Sequence, residues 1–243
     1  AVEWRYLREN PAAKVKDPIV IKKEMDYLQP AEVQEFLAAV PTRQRVFFYV
    51  AITAGLRLGE LLAMKWSNID WPTSRYFIRE NLARRKGAYE GGFATPKTRH
   101  SAQSVDLTPH CLQLLRRHHK QQAEEKLKAG AEYNGLGLVF ATTRGRPLDH
   151  HNVVKRQFHR GLEAAGLRRI RFHDLRHTCA AMLINQGVTP KYIQRQLRHA
   201  SIDTTFDRYG HLFPDTTQAA VEGLDRMLGN GVGIGPLDAA REN

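Results

Sequence analysis

Cysteine is almost missing from this chain of 243 residues: Cys111 and Cys179 are its only two, and no CxxC pair occurs. That excludes a disulfide framework and a thiolate zinc knuckle, and it fits a reduced, cytoplasmic compartment. Long apolar runs are missing too. None approaches the roughly 20 residues needed to cross a bilayer, so no membrane partner is expected. Ala1–Asn10 carries no leader-like pattern, and no internal repeat is visible. Acidic residues are in short supply, with Asp+Glu 25 against Lys+Arg 37, a net charge of +12 and a pI near 9.9. Such a surplus favours a polyanionic partner, although a basic surface also serves plain solubility.

What is present is helical periodicity with a little strand. Residues 1–26, with Asn10–Pro11 inside a polar stretch, read as the end of a helix followed by a linker. A main domain is expected over 27–228 and a flexible, Gly-rich tail over 229–243. Pro30 opens a helix whose Val33, Phe36, Leu37 and Val40 share one face. Arg45–Ala54 is apolar nearly all round, which predicts a buried helix closed by Gly55, and Leu58–Trp66 begins another. Tyr76–Arg79, Gln103–Leu107 and Leu138–Phe140 read as short strands. Thr108–Pro109 caps a long helix to about Lys128. Further helices are expected at about Asn152–Ala165, His173–Gln186, Pro190–Arg198, Ile202–Tyr209 and Thr216–Leu228. The fold class is mainly α (α+β), with one small antiparallel three-stranded sheet.

Three segments carry chemistry. In AGLRLGELLAMKW, Arg57 can offer a planar fork of donors to phosphate oxygens, with Glu60 three residues on to orient it. An ordinary surface pair is the competing reading. In ATPKTRHSAQSVDL, Lys97 lies in a strand–turn–strand pattern, with Arg84, Arg85, Lys86 and Arg99 as nearby alternatives. The third segment runs from His173 to Tyr209 and holds His173, Arg176, His177, His199 and Tyr209. His173, Arg176 and His177 share a helix face, with Leu175, Cys179, Met182 and Leu183 on the other, the pattern of one amphipathic helix. His173 and His177 have zinc-ligand spacing, but Asp174 stands where a zinc protease needs Glu, and an Arg between them opposes a cation. His177 also reads as a hydrogen-bonded structural residue. Lys191, Arg195 and Arg198 form a basic stripe along one helix, either a solvated face or a contact for a DNA backbone.

Taken in order, these residues resemble the two conserved boxes of the tyrosine recombinases, the phage-type integrases. The resemblance implies a site-specific recombinase that cuts and rejoins DNA through a 3′-phosphotyrosine at Tyr209, serving a mobile element, with neither metal nor ATP nor any other cofactor. Arg57 and Arg176 would clamp the scissile phosphate. Lys97 would protonate the departing 5′ oxygen, and His173 and His199 would bond the phosphate or move the phenol proton. Arg198 stands where the family commonly has Gly, which takes the positive φ of a helix end more easily. The resemblance further implies that residues 1–26 are the linker from a small DNA-clamping domain that is missing from this sequence. It also implies double-stranded DNA as partner, a prokaryotic, nucleoid-associated location, and a tetramer on DNA from a chain monomeric without it. Residues 214–228, with Val221, Leu224 and Leu228 as an apolar stripe, would join the protomers, packing on the home domain being the alternative. Two rival functions remain: a non-catalytic helix-turn-helix-like DNA-binding module, and a type IB topoisomerase-like relaxing enzyme. A metal-dependent nuclease is more distant.

Overall fold

The computed structural model describes residues 2–4, 6–11, 15, 25–82, 92–94, 104–214 and 217–228. Helix α1 (Pro30–Ala39) starts on a reciprocal cap in which the Gln29 N–H donates to Glu32 Oε2 at 2.7 Å. Helix α2 (Thr42–Ala54) is as deeply buried as its composition predicts and ends at Gly55, whose φ of 61° turns the chain sharply. Helix α3 (Leu58–Leu62) is shorter than expected. The cause lies in the residues beyond it. Met64 O accepts the Val139 N–H at 2.7 Å and the Trp66 N–H donates to Gly137 O at 3.0 Å, so this backbone is claimed by a neighbouring segment. The same contact explains Leu138–Phe140, which makes a single bridge to Lys65 instead of a sheet strand.

Five short strands follow: β1 (Ile69–Asp70), β2 (Arg75–Phe77), β3 (Asn81–Leu82), β4 (Phe93–Ala94) and β5 (Ser104–Asp106). The expected three-stranded antiparallel sheet is present in the order β1-β2-β5, with Tyr76 opposite both Ile69 and Val105. Its third member is β1, not Leu138–Phe140, and β3 pairs with β4 in a second small sheet. Thr108 caps α4 (Pro109–Ala129), its hydroxyl accepting the Cys111 N–H at 3.1 Å. A π-helical stretch, Asn152–Phe158, leads into α5 (His159–Ala164). Then come α6 (Asp174–Asn185), α7 (Pro190–Leu197), α8 (Asp203–Tyr209) and α9 (Thr217–Leu228). Much of 1–26 and all of 229–243 lie outside the described residues, as does Lys97. No helix among the described residues is long and apolar enough to cross a membrane.

The main core is built on edge-to-face rings, Phe36 on Phe48 and Phe47 on Phe140, both with centroids 5.0 Å apart. Such pairs add about 0.5–1.5 kcal/mol each beyond their buried area. A second, smaller cluster gathers Cys179, Ala180, Ile184, Ile193, Leu197 and Tyr209. Helix α6 runs between the two, Leu175 in the first and Cys179 in the second. The amphipathic pattern expected for α6 is therefore not what the structure has, because every residue from Asp174 to Ala181 is buried. A helix with core on both sides has no solvent face, and its polar side chains must find partners inside.

Candidate active site

Arg176 meets that demand with backbone carbonyls. Its guanidinium donates to Gly55 O at 2.7 Å and to Leu197 O, tying α6 to the end of α2 and the end of α7. Burial first, then Arg198 and Arg57, lower its pKa to about 9, so it is charged at neutral pH. His173 stands at the mouth of α6, exposed, its ring edge-on to His177 at 5.1 Å.

Tyr209, the last residue of α8, has no exposed surface. Its hydroxyl lies 2.8 Å from His177 Nδ1, and the His199 ring stacks beside the phenol at 6.1 Å. His199 is held in turn by Thr205, whose hydroxyl is 2.9 Å from His199 Nδ1. On its other side His177 has Asp174, with Oδ1 3.9 Å from Nε2, and Asp174 also accepts the Arg171 backbone N–H at 2.7 Å. Burial, with the nearby cations, lowers His177 to about 4 and His199 to about 3, so both rings are neutral at pH 7. Arginines beside a phenol favour its ionised form. The structure reverses that balance: burial pushes Tyr209 up to about 12, with Arg176 and Arg208 only partly opposing it. A neutral phenol needs a proton acceptor, and the neutral His177 nitrogen is in hydrogen-bond reach of it.

Arg57 lies at the N-terminus of α3, presented by the turn that Gly55 makes possible. Glu60 reaches back to it twice, Oε2 accepting its backbone N–H at 2.8 Å and Oε1 its Nη1 at 2.9 Å. Glu60 also accepts from the Arg198 guanidinium. Its carboxyl stays below the usual range because burial, which raises it, is outweighed by Arg198 and Arg57. The expected basic stripe is thereby broken. Arg198 takes a left-handed φ of 56° at the end of α7, and its side chain, 4% exposed, faces Glu60 and does not continue the exposed stripe. Lys191 and Arg195 do remain outside. Arg195 pairs with Asp106 Oδ2 at 2.9 Å and lies over the Tyr192 ring. Together with Thr189, Gln194 and His199 these three line an open cleft of about 520 Å³. Buried Gln196 clips α7 to β5, accepting the Asp106 N–H at 2.9 Å and donating to Asp106 O at 3.0 Å.

The site thus gathers Arg176, His173, His177, His199 and Tyr209 directly, and Arg57 with Glu60 at its edge, while Lys97 lies outside the described residues. Asp174 and Thr205 were not singled out by sequence as members. Three or more His, Cys, Asp or Glu side chains that could hold a metal do not come together among the described residues.

A mainly helical domain with a small antiparallel sheet, and a buried tyrosine among histidines and arginines, defines the class of the tyrosine recombinase catalytic domains. The chain belongs to the phage integrase family, matched over residues 26–215. It is 31% identical over 231 residues to the ICEBs1 integrase of Bacillus subtilis (strain 168), covering 94% of this chain and 62% of that protein. It is 32% identical over 245 residues to a tyrosine recombinase XerC-like protein of Caldanaerobacter subterraneus subsp. tengcongensis, with the same coverages of 94% and 62%. The chain therefore spans about three-fifths of the length of these relatives, 62% in each case. In three dimensions it resembles the Tn1549 transposon integrase bound to transposon right end DNA (TM-score 0.73, 19% identity, 94% of this chain and 75% of that one). It also resembles XerA recombinase (TM-score 0.59, 20% identity, 85% and 66%). At these identities the two structures speak for the fold.

Proposed function

We propose that the chain cuts and rejoins double-stranded DNA through Tyr209 as the recombinase of a mobile element, acting on the bacterial nucleoid. The observation that carries this is the 2.8 Å contact between the Tyr209 hydroxyl and the neutral His177 ring, with Arg176 near enough to act on the charge of the phenol. In the proposed step Tyr209 Oη attacks the scissile phosphorus as its proton passes to His177 Nδ1. A 3′-phosphotyrosine bond forms and the bond to the 5′ oxygen breaks. That oxygen takes its proton from Lys97, the role the family resemblance gives it. Arg57 and Arg176 stabilise the charge on the non-bridging oxygens, and His173 and His199 hydrogen-bond them. Attack by a 5′ hydroxyl reverses the step, so the energy of the phosphodiester is conserved in the protein bond. Because the phenol is fully covered, α8 must shift before a phosphate can reach it.

Relatives named as integrases of a phage and of ICEBs1 support the mobile-element reading. A relaxing enzyme of type IB chemistry shares every step but rejoins the same strand, and an exchange assay between two sites separates them. The test of the chemistry is a denaturing gel after incubation with a nicked duplex carrying the junction sequence that flanks the gene, with EDTA throughout. An adduct that survives SDS and is lost in Tyr209→Phe is the expected result. DNA binding without adduct would leave a binding module in its place, and an adduct lost on chelation would call for a metal.

A further inference from the structure

Arg198 is a buried cation of the site whose guanidinium is turned toward a carboxylate. Its side chain is 4% exposed where Arg57, sharing the same carboxylate, is 49% exposed. It also occupies a backbone conformation that an L side chain resists, φ 56° and ψ 47°, so the position is held in spite of local preference. Its guanidinium is spent on Glu60 Oε2, the oxygen that also accepts the Arg57 backbone N–H, while Glu60 Oε1 takes Arg57 Nη1. Without Arg198, Glu60 would have Arg57 as its only ion-pair partner among the described residues, and that half of the phosphate clamp would arrive largely neutralised. With it, Arg57, Arg176 and Arg198 stand against one carboxylate.

We propose that Arg198 is a positioning residue that occupies Glu60 and so leaves the charge of Arg57 available to the scissile phosphate. The proposal rests on the reading of Arg57 as a phosphate ligand. It joins two elements far apart in sequence: the turn before α3 that presents Arg57 and the turn after α7 that presents His199. Both flank the same substrate oxygens in that reading, so one buried ion pair sets their spacing. Charge and geometry are then separable. A device that only fixed the α7 turn would be lost with Arg198 whatever stood at position 60. A device that offsets Glu60 becomes dispensable once the carboxylate is gone.

The experiment compares the full chain with Arg198→Gly, Arg198→Lys, and Arg198→Gly combined with Glu60→Gln, on the nicked junction duplex, after thermal melts confirm that each is folded. Arg198→Gly relaxes the backbone and removes the cation, and it should slow adduct formation about tenfold, the scale of one weakened charged contact in a transition state. Arg198→Lys should retain most of the rate. Replacing Glu60 by Gln in the Gly background should recover most of the loss, since Gln still accepts the Arg57 N–H but carries no charge. An Arg198→Gly rate equal to the parent's, or a double variant no faster than the single one, overturns the proposal. If the parent forms no adduct yet binds the duplex, the phosphotyrosine reading falls by itself. Arg198 is then judged on affinity, where weakening in Arg198→Gly and recovery in the double variant support it, and unchanged affinity refutes it.

Discussion

His177 shows how burial sets chemistry at a single residue. A free histidine titrates near 6.5, whereas here burial first, then His173, with Arg208 and Arg171 adding and Asp174 opposing, hold the ring down to about 4. The unfolded chain therefore takes up a proton below about pH 6.5 that the folded chain refuses until about pH 4. Stability from this group is complete above that window and is lost as pH falls through it, by up to about 1.4 kcal/mol per pH unit for one proton. Urea midpoints at pH 7, 5.5 and 4.5 should fall for the parent and fall less steeply for His177→Gln. Equal slopes would mean that His177 titrates in the folded site as it does in the unfolded chain, so that burial does not hold the ring neutral through this range. Arg57, Arg176, His199 and Tyr209 were legible in the sequence because their residue types occur in a fixed order with distinctive neighbours. Asp174 and Thr205 were not, because common polar residues announce themselves only when folding sets them against a histidine. Arg198 was misread for a definite reason. The stripe it seemed to complete assumes that the helix continues, and a left-handed residue turns the side chain inward instead.

Among the elements, the junction of α2, α6 and α7 places the site. Gly55 has φ 61°, and a Cβ there would stand 2.7 Å from Leu197 Cδ2 and 3.3 Å from Cys179 Sγ, while its carbonyl already receives Arg176 Nη1. Gly55→Ala thus strains the backbone and separates three helices at once, at a cost of about 1–3 kcal/mol. The expected outcome is a lower denaturant midpoint together with an adduct rate reduced at temperatures where the variant is still folded. A loss of stability with an unchanged rate would show that this turn supports the fold without aiming Arg57 and Arg176. Helices were the easiest elements to read: Pro30, Thr108 and Thr189 mark starts by cap chemistry that the structure repeats. The amphipathic reading of α6 failed because a helix sandwiched between two clusters keeps no polar face for periodicity to reveal. Strand partners failed for a related reason. Which of several short apolar runs completes a sheet depends on backbone pairing at a distance, and Leu138 was claimed by Lys65.

At the scale of the whole molecule, a net charge of +12 over 243 residues suits a polyanion and says little about how many copies gather on it. The end of the described chain is more specific. On α9, Val221 is 56% exposed, Leu224 60% and Met227 86%, so packing on the home domain leaves these side chains uncovered. An apolar edge presented by the helix that follows the nucleophile fits a neighbouring protomer better than solvent, which supports the reading of residues 214–228 as the joining segment. Coupling assembly to the segment just beyond Tyr209 would also give the shift of α8 a cause, because a neighbour that draws α9 away pulls on the same stretch of chain. Leu224→Asp places a charge in that contact without touching the core, and removal of residues 214–243 takes the contact away altogether. Each should reduce the size of the complex formed on a two-site duplex, read by sedimentation or mass photometry, while a single site is still bound with near-parental affinity. Assemblies of unchanged size in both variants would refute the exchange of this segment between protomers and return α9 to its own domain.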